Sequence, residues 1–281
     1  MQTVMVIGAG LMGNGIAQTA AMAGYQVILV EQTEELAKKG LASIEQSLGK
    51  LIRKGNISEE DKQKVLDRIR LTTDLADGKE ADLVVEAIPE KIELKRDLFR
   101  QLDLLVQPDS ILATNTSSLS ITELAAVTKR PDKVIGMHFF CPVPVMPLVE
   151  IVRALTTSDE TFQKAESYAR QFGKQTVVAK DSPAFIFNRV LIPMLNEAAF
   201  LVYEGTQPED VDRTMKLAAS HPIGPLELAD YIGIDVLLDV IQSMYEGFQD
   251  PKYRPCPLLK KMVEAGRLGR KSGTGFYSYG T

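Results

Sequence analysis

The stretch Val4-Met5-Val6-Ile7-Gly8-Ala9-Gly10-Leu11-Met12-Gly13-Asn14-Gly15 decides how the rest of the chain is read. Val4–Ile7 is a short apolar run rich in β-branched residues, which predicts a buried strand. Gly8, Gly10 and Gly13 follow at once in GxGxxG spacing, and Ile16 to Ala23 carries a helix-compatible mix of alanines and apolar residues. Gly24 closes that helix, Tyr25–Val30 reads as a second buried strand, and Glu31 ends it. The order strand, glycine turn, helix, strand, acid is the context that gives the glycine spacing its meaning as a dinucleotide-binding unit.

Each residue has a physical part in that reading. Gly8 permits the tight turn off the strand, Gly10 lets a pyrophosphate approach the backbone, and Gly13 lets helix and strand pack closely. The helix N-terminus presents unpaired N–H groups and partial positive charge to the phosphates. Glu31 is placed to accept hydrogen bonds from both ribose hydroxyls and to repel a 2′-phosphate. No arginine follows it closely, so the expected cofactor is NAD rather than NADP.

The 281 residues suggest two domains, and 45% apolar with 25% charged residues describe an ordinary globular protein. A net charge of −5 makes nucleic acid an unsuitable partner, while leaving room for a local basic patch toward an anionic substrate. Cys141 and Cys256 have no metal-ligand spacing and form no disulfide framework, so no metal is expected and a reducing cytoplasm is the expected compartment. The first strand begins at once, which predicts no signal peptide, and no apolar run is long enough to span a bilayer.

After Glu31, residues 34–54 read as a helix, Gly55-Asn56 breaks it, and Ser58-Glu59-Glu60-Asp61 caps another helix running to about Ile69. This pair forms an arm over about 34–70. Lys50, Arg53 and Lys54 on it read either as a solvated face or as a cationic surface reaching toward the phosphates of a large substrate. Strands are expected at Leu71–Thr73, Asp82–Glu86, Ile111–Thr114, Val134–Met137, Pro147–Val152 and Val177–Ala179, with helices over Ile92–Leu105 and Glu160–Phe172 between them. Asn115-Thr116-Ser117-Ser118 follows a strand at its carboxyl end, where open α/β sheets bind ligands; helix capping is the competing role for these serines. Asp181-Ser182-Pro183 is the boundary, and from Ala184 the pattern is almost wholly helical. The first of those helices, Phe185–Tyr203, is apolar nearly all round, which predicts burial between domains or subunits and hence a homodimer.

Two histidines are present. Histidine is the usual group for exchanging a proton with a substrate hydroxyl at neutral pH. His138 ends a strand of the nucleotide domain, whereas His221 sits in a Ser-His-Pro-Ile-Gly-Pro turn, so position favours His138. A catalytic histidine needs a partner that fixes its tautomer. Glu150, twelve residues on, is either that partner, returned by a strand–loop–strand hairpin, or a carboxylate at a strand edge in solvent.

These blocks together resemble the short-chain L-3-hydroxyacyl-CoA dehydrogenases. The resemblance rests on Asn115-Thr116-Ser117-Ser118-Leu119, His138-Phe139-Phe140-x-Pro142-Val143-Pro144-Val145-Met146 and Leu148-Val149-Glu150. Phe187-Asn188-Arg189 with Pro193, His221–Asp230 and Glu264–Tyr277 extend it over essentially the full chain. It implies an α/β Rossmann-type NAD-binding domain with a helical arm over 1–182, and an all-α C-terminal substrate and dimerisation domain over 183–281. By the same resemblance His138 is the general base, Glu150 orients it, and Ser117 and Asn188 hydrogen-bond the substrate. Lys50 and Lys54 on the arm contribute to binding of an acyl-CoA substrate. Together with the glycine fingerprint, the expected cofactor contacts are Gly8, Gly10, Leu11, Met12, Gly13, Glu31, Gln32, Ala87, Glu90, Lys95, Asn115, Ser117 and His138. Two positions depart from the pattern: Cys141 stands where Asn is usual, and Ala184 where Gly is common. They bear on substrate preference and rate rather than on reaction class. A related dehydrogenase of a small free hydroxy acid, and an NAD-binding protein without activity, are the competing readings; the joint presence of His138, Glu150, Ser117 and Asn188 argues against the latter.

Overall fold

The structure, a computed structural model, describes residues 2–280. The chain divides into two units, one ending at Asp181 and one beginning at Ser182. In the first, β1 (Thr3–Ile7), α1 (Leu11–Met22) and β2 (Gln26–Val30) form the dinucleotide unit, followed by α2 (Glu34–Arg53), α3 (Glu59–Asp67) and β3 (Ile69–Thr72). Then come β4 (Leu83–Glu86), α4 (Ile92–Leu105), β5 (Ile111–Thr114), α5 (Ile121–Ala126), β6 (Val134–Phe139), β7 (Leu148–Arg153), α6 (Asp159–Gln171) and β8 (Gln175–Lys180). The strands form one eight-stranded sheet in the order β3-β2-β1-β4-β5-β6-β7-β8. Neighbours run parallel except β6 and β7, which are antiparallel. Every residue of β4, β5 and β6 is buried, as expected of central strands covered by helices on both faces.

Several boundaries differ from the sequence expectation, each for a packing reason. Helix α1 begins at Leu11, five residues before Ile16, so Gly13 and Gly15 lie inside it and are buried. Glycine is a poor helix former, but here close contact outweighs propensity: a Cβ on Gly13 would sit 1.7 Å from the Gly8 carbonyl oxygen. Gly8 itself has φ +97°, a conformation open to glycine. Ile69 belongs to β3 and not to the preceding helix, because it pairs with Val27 and is buried there. Strand β6 runs two residues beyond Met137, so His138 lies within the strand. Strand β8 is longer than expected at both ends. The helix start at Ser58 is a full capping box, with reciprocal 3.0 Å bonds between Ser58 and Asp61.

The second unit is helical: α7 (Phe187–Tyr203), α8 (Pro208–Ala218), α9 (Pro225–Ile232), α10 (Ile234–Phe248) and α11 (Pro257–Glu264). Ile192, Leu195, Leu237, Ile241, Met244, Cys256 and Leu259 form its core. Ala184 is buried with φ +65°, the left-handed region that a Cβ disfavours by about 1–2 kcal/mol; this is the physical reason a glycine suits that position. Helix α7 buries Ile192, Leu195, Ala198 and Ala199 within its own unit but leaves Val190 71% exposed, with Leu201 and Tyr203 also exposed.

Replacing Gly13 by Ala forces a methyl onto the Gly8 carbonyl. The expected cost is about 2–3 kcal/mol, in the range of overpacked cores, together with loss of NADH binding. Urea denaturation and nucleotide fluorescence measure the two effects, and a variant of unchanged stability would contradict the packing role.

Candidate active site

A cleft of about 750 Å³ opens at the carboxyl ends of β1, β2 and β4. Of the expected cofactor contacts, Gly8, Gly10, Leu11, Met12, Glu31, Gln32 and Ala87 line it. Leu36, Leu75, Leu94 and Leu98 add apolar walls that the sequence reading did not single out. The i, i+4 spacing of Leu94 and Leu98 on α4 is the signal that marks them. A Cβ on Gly10 would meet no heavy atom within 4 Å, so the space over the start of α1 is open. No acidic residue lies in the first turn of α1, which leaves its positive end uncompensated and suited to a pyrophosphate. The Glu31 carboxylate accepts from the N–H of Ala9 (3.3 Å) and of Gln32 (2.6 Å). Those bonds hold it beside the glycine turn, on the cleft wall. The residues fit a dinucleotide.

His138 and Glu150 are brought together. In the β6–β7 ladder they are directly opposite each other, and the Nδ1 of His138 lies 2.7 Å from Oε2 of Glu150. Both are buried, His138 at 7% and Glu150 at 1% exposure, so water competes little with the contact. The Phe140 ring packs 4.6 Å from the imidazole, centroid to centroid. The N–H of Phe139, next in the strand, donates to the side-chain oxygen of Asn115 (2.9 Å). Asn115 thereby ties the end of β5 to the strand that carries His138.

Lys95 is fully buried in α4. Its ammonium donates to Glu86 Oε1 (2.6 Å) and to the Ile88 carbonyl (3.3 Å), and lies 3.2 Å from Glu90 Oε2. Glu86 is 0% exposed and also accepts from the Ile88 N–H (2.7 Å) and from the Thr114 hydroxyl (2.6 Å). Sequence reasoning missed Glu86; as the last residue of β4, just before the turn to Glu90, its position was the available signal. Glu90 in turn accepts from the backbone N–H of Ser117 (3.0 Å), from the Thr116 hydroxyl and, at 3.4 Å, from the Ser118 hydroxyl. A continuous polar chain therefore runs from Glu86 through Lys95 and Glu90 to Ser117. Ser120, by contrast, caps α5 by accepting from the Glu123 N–H at 3.2 Å.

The remaining expected residues are carried by other elements. Asn188 is in the first turn of α7, in the second unit, and His221 follows α8 there. Lys50 sits in the last turn of α2 and Lys54 caps it, both exposed to solvent. Cys141 is exposed and Cys256 buried. Among the described residues no helix is long and apolar enough to cross a membrane, and no cluster of His, Cys, Asp or Glu is placed to hold a metal ion.

Partial burial pushes the Glu90 carboxyl up, but the Lys95 charge and the bonds from Thr116 and Ser117 outweigh it, so the group is held below the usual glutamate value of 4.5. A carboxylate lowered on folding adds stability above its unfolded pKa and loses it as the pH falls through the folded one. Glu90→Gln should therefore cost about 0.5–1 kcal/mol at neutral pH, a figure discounted for partial exposure. The gap to wild type should close as the pH drops below 4.5. Thermal melts across that range measure it; a gap independent of pH would remove the charge from the account.

Residues 3–182 match a profile described as 3-hydroxyacyl-CoA dehydrogenase, NAD binding domain, and residues 185–279 one described as 3-hydroxyacyl-CoA dehydrogenase, C-terminal domain. The chain is 50% identical over 280 residues to a probable 3-hydroxybutyryl-CoA dehydrogenase of Bacillus subtilis, covering 99% of this chain and 98% of that one. It is 44% identical over 284 residues to the human mitochondrial hydroxyacyl-coenzyme A dehydrogenase, covering 98% and 90% respectively. The crystal structure of (S)-3-hydroxybutyryl-CoA dehydrogenase from Ralstonia eutropha superposes with a TM-score of 0.97 at 49% identity, covering all of both chains. The chain belongs to the 3-hydroxyacyl-CoA dehydrogenase family of NAD-dependent oxidoreductases, with an NAD-binding domain followed by the family's C-terminal domain.

Proposed function

We propose that this chain interconverts (S)-3-hydroxyacyl-CoA and 3-ketoacyl-CoA, with 3-hydroxybutyryl-CoA as the preferred hydroxy substrate. The observation that carries the reading is the buried 2.7 Å contact between His138 and Glu150, in a family chain whose cleft is lined by the glycine turn and Glu31. Bound NAD supplies the hydride acceptor. His138 takes the proton of the 3-hydroxyl at Nε2, because Nδ1 is engaged by Glu150. The Glu150 carboxylate holds that tautomer and stabilises the imidazolium as it forms. In the reductive direction the same imidazolium returns the proton to the ketone oxygen.

The remaining roles belong to the same proposal. Ser117 and Asn188 hydrogen-bond the substrate near the reacting carbon and the thioester. Glu31, Gln32, Glu90, Lys95 and the glycine turn hold NAD, and Lys50 and Lys54 meet the coenzyme A phosphates. Lys95 acts through Glu90, given that its ammonium is buried among Glu86, Ile88 and Glu90. Residues 1–182 act as the NAD-binding domain and 183–281 as the substrate and dimerisation domain. Exposed Val190, Leu201 and Tyr203 on α7 support a homodimer formed through that domain. The cytoplasm is the proposed compartment.

Loss of NADH absorbance on adding acetoacetyl-CoA tests the reaction, with NADPH and free acetoacetate as paired controls. Turnover of the thioester with NADH alone is the expected result; turnover of the free acid alone would favour a dehydrogenase of small hydroxy acids. His138→Ala should lower kcat by about 10²–10⁴-fold, the usual worth of a positioned general base. Glu150→Gln should lower kcat while leaving the KM for NADH near its wild-type value. Full turnover by His138→Ala would exclude this base.

A further inference from the structure

Lys174 is a buried lysine that the chemistry above leaves without a role. It follows α6, where Gly173 turns the chain at φ +74° and the Lys174 N–H donates to the Ala169 carbonyl (3.0 Å). Its side chain runs inward and is 7% exposed. The ammonium donates to the carbonyl oxygens of Val143 (2.5 Å) and Met146 (2.9 Å). Burial holds its pKa below the usual lysine value. A cation in this setting costs free energy unless its donors are satisfied.

Both carbonyls belong to the loop 140–147 that joins the strand of His138 to the strand of Glu150. The loop is partly self-bonded, since the N–H groups of Val145 and Met146 both donate to the Pro142 carbonyl at 2.9 Å. It also packs on α1: a Cβ on Gly15 would lie 2.8 Å from Val143 Cβ and 3.4 Å from Pro144 Cδ. The Val143 and Met146 carbonyls lie outside the β6–β7 ladder, the Val143 bond being buried and the Met146 bond partly so, and a backbone carbonyl removed from water needs a donor. A lysine meets two of them at once because its three donors sit on a flexible stem. The loop is thus held by Lys174 and seated on the helix whose N-terminus faces the nucleotide cleft.

We propose that Lys174 is a positioning residue: by pinning the Val143 and Met146 carbonyls it fixes the 140–147 loop on α1 and so sets the His138 imidazole relative to the nucleotide cleft. The catalytic part of this inference rests on the proposed role of His138. A lysine that only stabilised the fold would change the melting temperature and leave the rate constants of the folded enzyme alone. A pin for the loop changes kcat without changing how NADH binds.

Lys174→Met keeps an unbranched stem and removes the donors. The expected result is a kcat for acetoacetyl-CoA reduction lowered by about 10-fold or more, since small misplacements of reacting groups carry penalties up to about 10². NADH affinity by fluorescence should stay within about twofold of wild type, because the glycine turn and Glu31 are untouched. Hydrogen exchange at the Val145 and Met146 amides should be faster by about tenfold or more, the signature of a locally loosened loop. Lys174→Gln, whose shorter stem cannot reach both carbonyls, should show the same split between kcat and NADH binding and decides the matter if Lys174→Met does not fold. Wild-type kcat and wild-type amide protection in a folded Lys174→Met would overturn the proposal. A wild-type enzyme silent on acetoacetyl-CoA would strike the functional reading instead. The exchange rates then decide the pin alone, unchanged protection overturning it.

Discussion

In a sheet whose other neighbouring strands run parallel, β6 and β7 run antiparallel, and their ladder sets His138 directly opposite Glu150. Opposed residues in such a ladder point to the same face with their Cβ atoms about 5 Å apart, which is the spacing an imidazole and a carboxylate need to meet. A slip of one residue would send the two side chains to opposite faces. The register is held from several sides: by the 140–147 loop, by the Phe139–Asn115 bond, and by β8 pairing along the far edge of β7. The His138–Glu150 contact is therefore a product of strand direction and register. Neither side chain has to be carried by a mobile loop.

The Glu86–Lys95–Glu90 cluster fixes the turn after β4 in a comparable way. Removing one partner of a buried ion pair typically costs about 3–5 kcal/mol, because the other charge is left without compensation. Here the Lys95 ammonium is matched by two carboxylates and a carbonyl, and the Glu86 carboxylate by an ammonium, an N–H and a hydroxyl. The cluster is satisfied at every position described. Its outer member, Glu90, receives the backbone N–H of Ser117, so the edge of the nucleotide cleft and the serine turn after β5 share one anchor.

The helical unit is organised by two buried aspartates. Asp212 accepts from the N–H groups of Leu226 and Glu227 and from the Tyr277 hydroxyl. Asp230 accepts from the N–H groups of Phe276 and Tyr277 and from the Tyr279 hydroxyl. Burial, followed by the Asp212 bond and charge, pushes the Tyr277 phenol far above its ordinary range, so it stays a donor at any physiological pH. A Cβ on Gly275 would fall 1.9 Å from Asp230 Oδ1 and one on Gly269 2.3 Å from the Asp230 carbonyl oxygen. Gly275 and Tyr279 thus fit closely around the Asp230 carboxylate, Gly269 against its backbone carbonyl, and Tyr277 on Asp212.

The sequence by itself determined the alternation of strands and helices, the glycine turn with its acid, the helical character of the second unit, and the two histidines as the proton-exchange candidates. Those features are local: they follow from periodicity, from glycine at close approaches, and from residue chemistry. The start of α1 was not legible: Gly13 was read as a close-packing position, but Gly15 looks like a helix breaker until the loop packed against it is known. Whether Glu150 meets His138 was open for the same reason, since twelve residues of spacing do not specify a register. Glu86 carried no sign of a buried ion pair, and nothing around Lys174 pointed to two carbonyls of a distant loop. These were decided only in the tertiary structure. Burial and hydrogen-bond partners depend on which segments meet in space, and no stretch of chain carries that information alone.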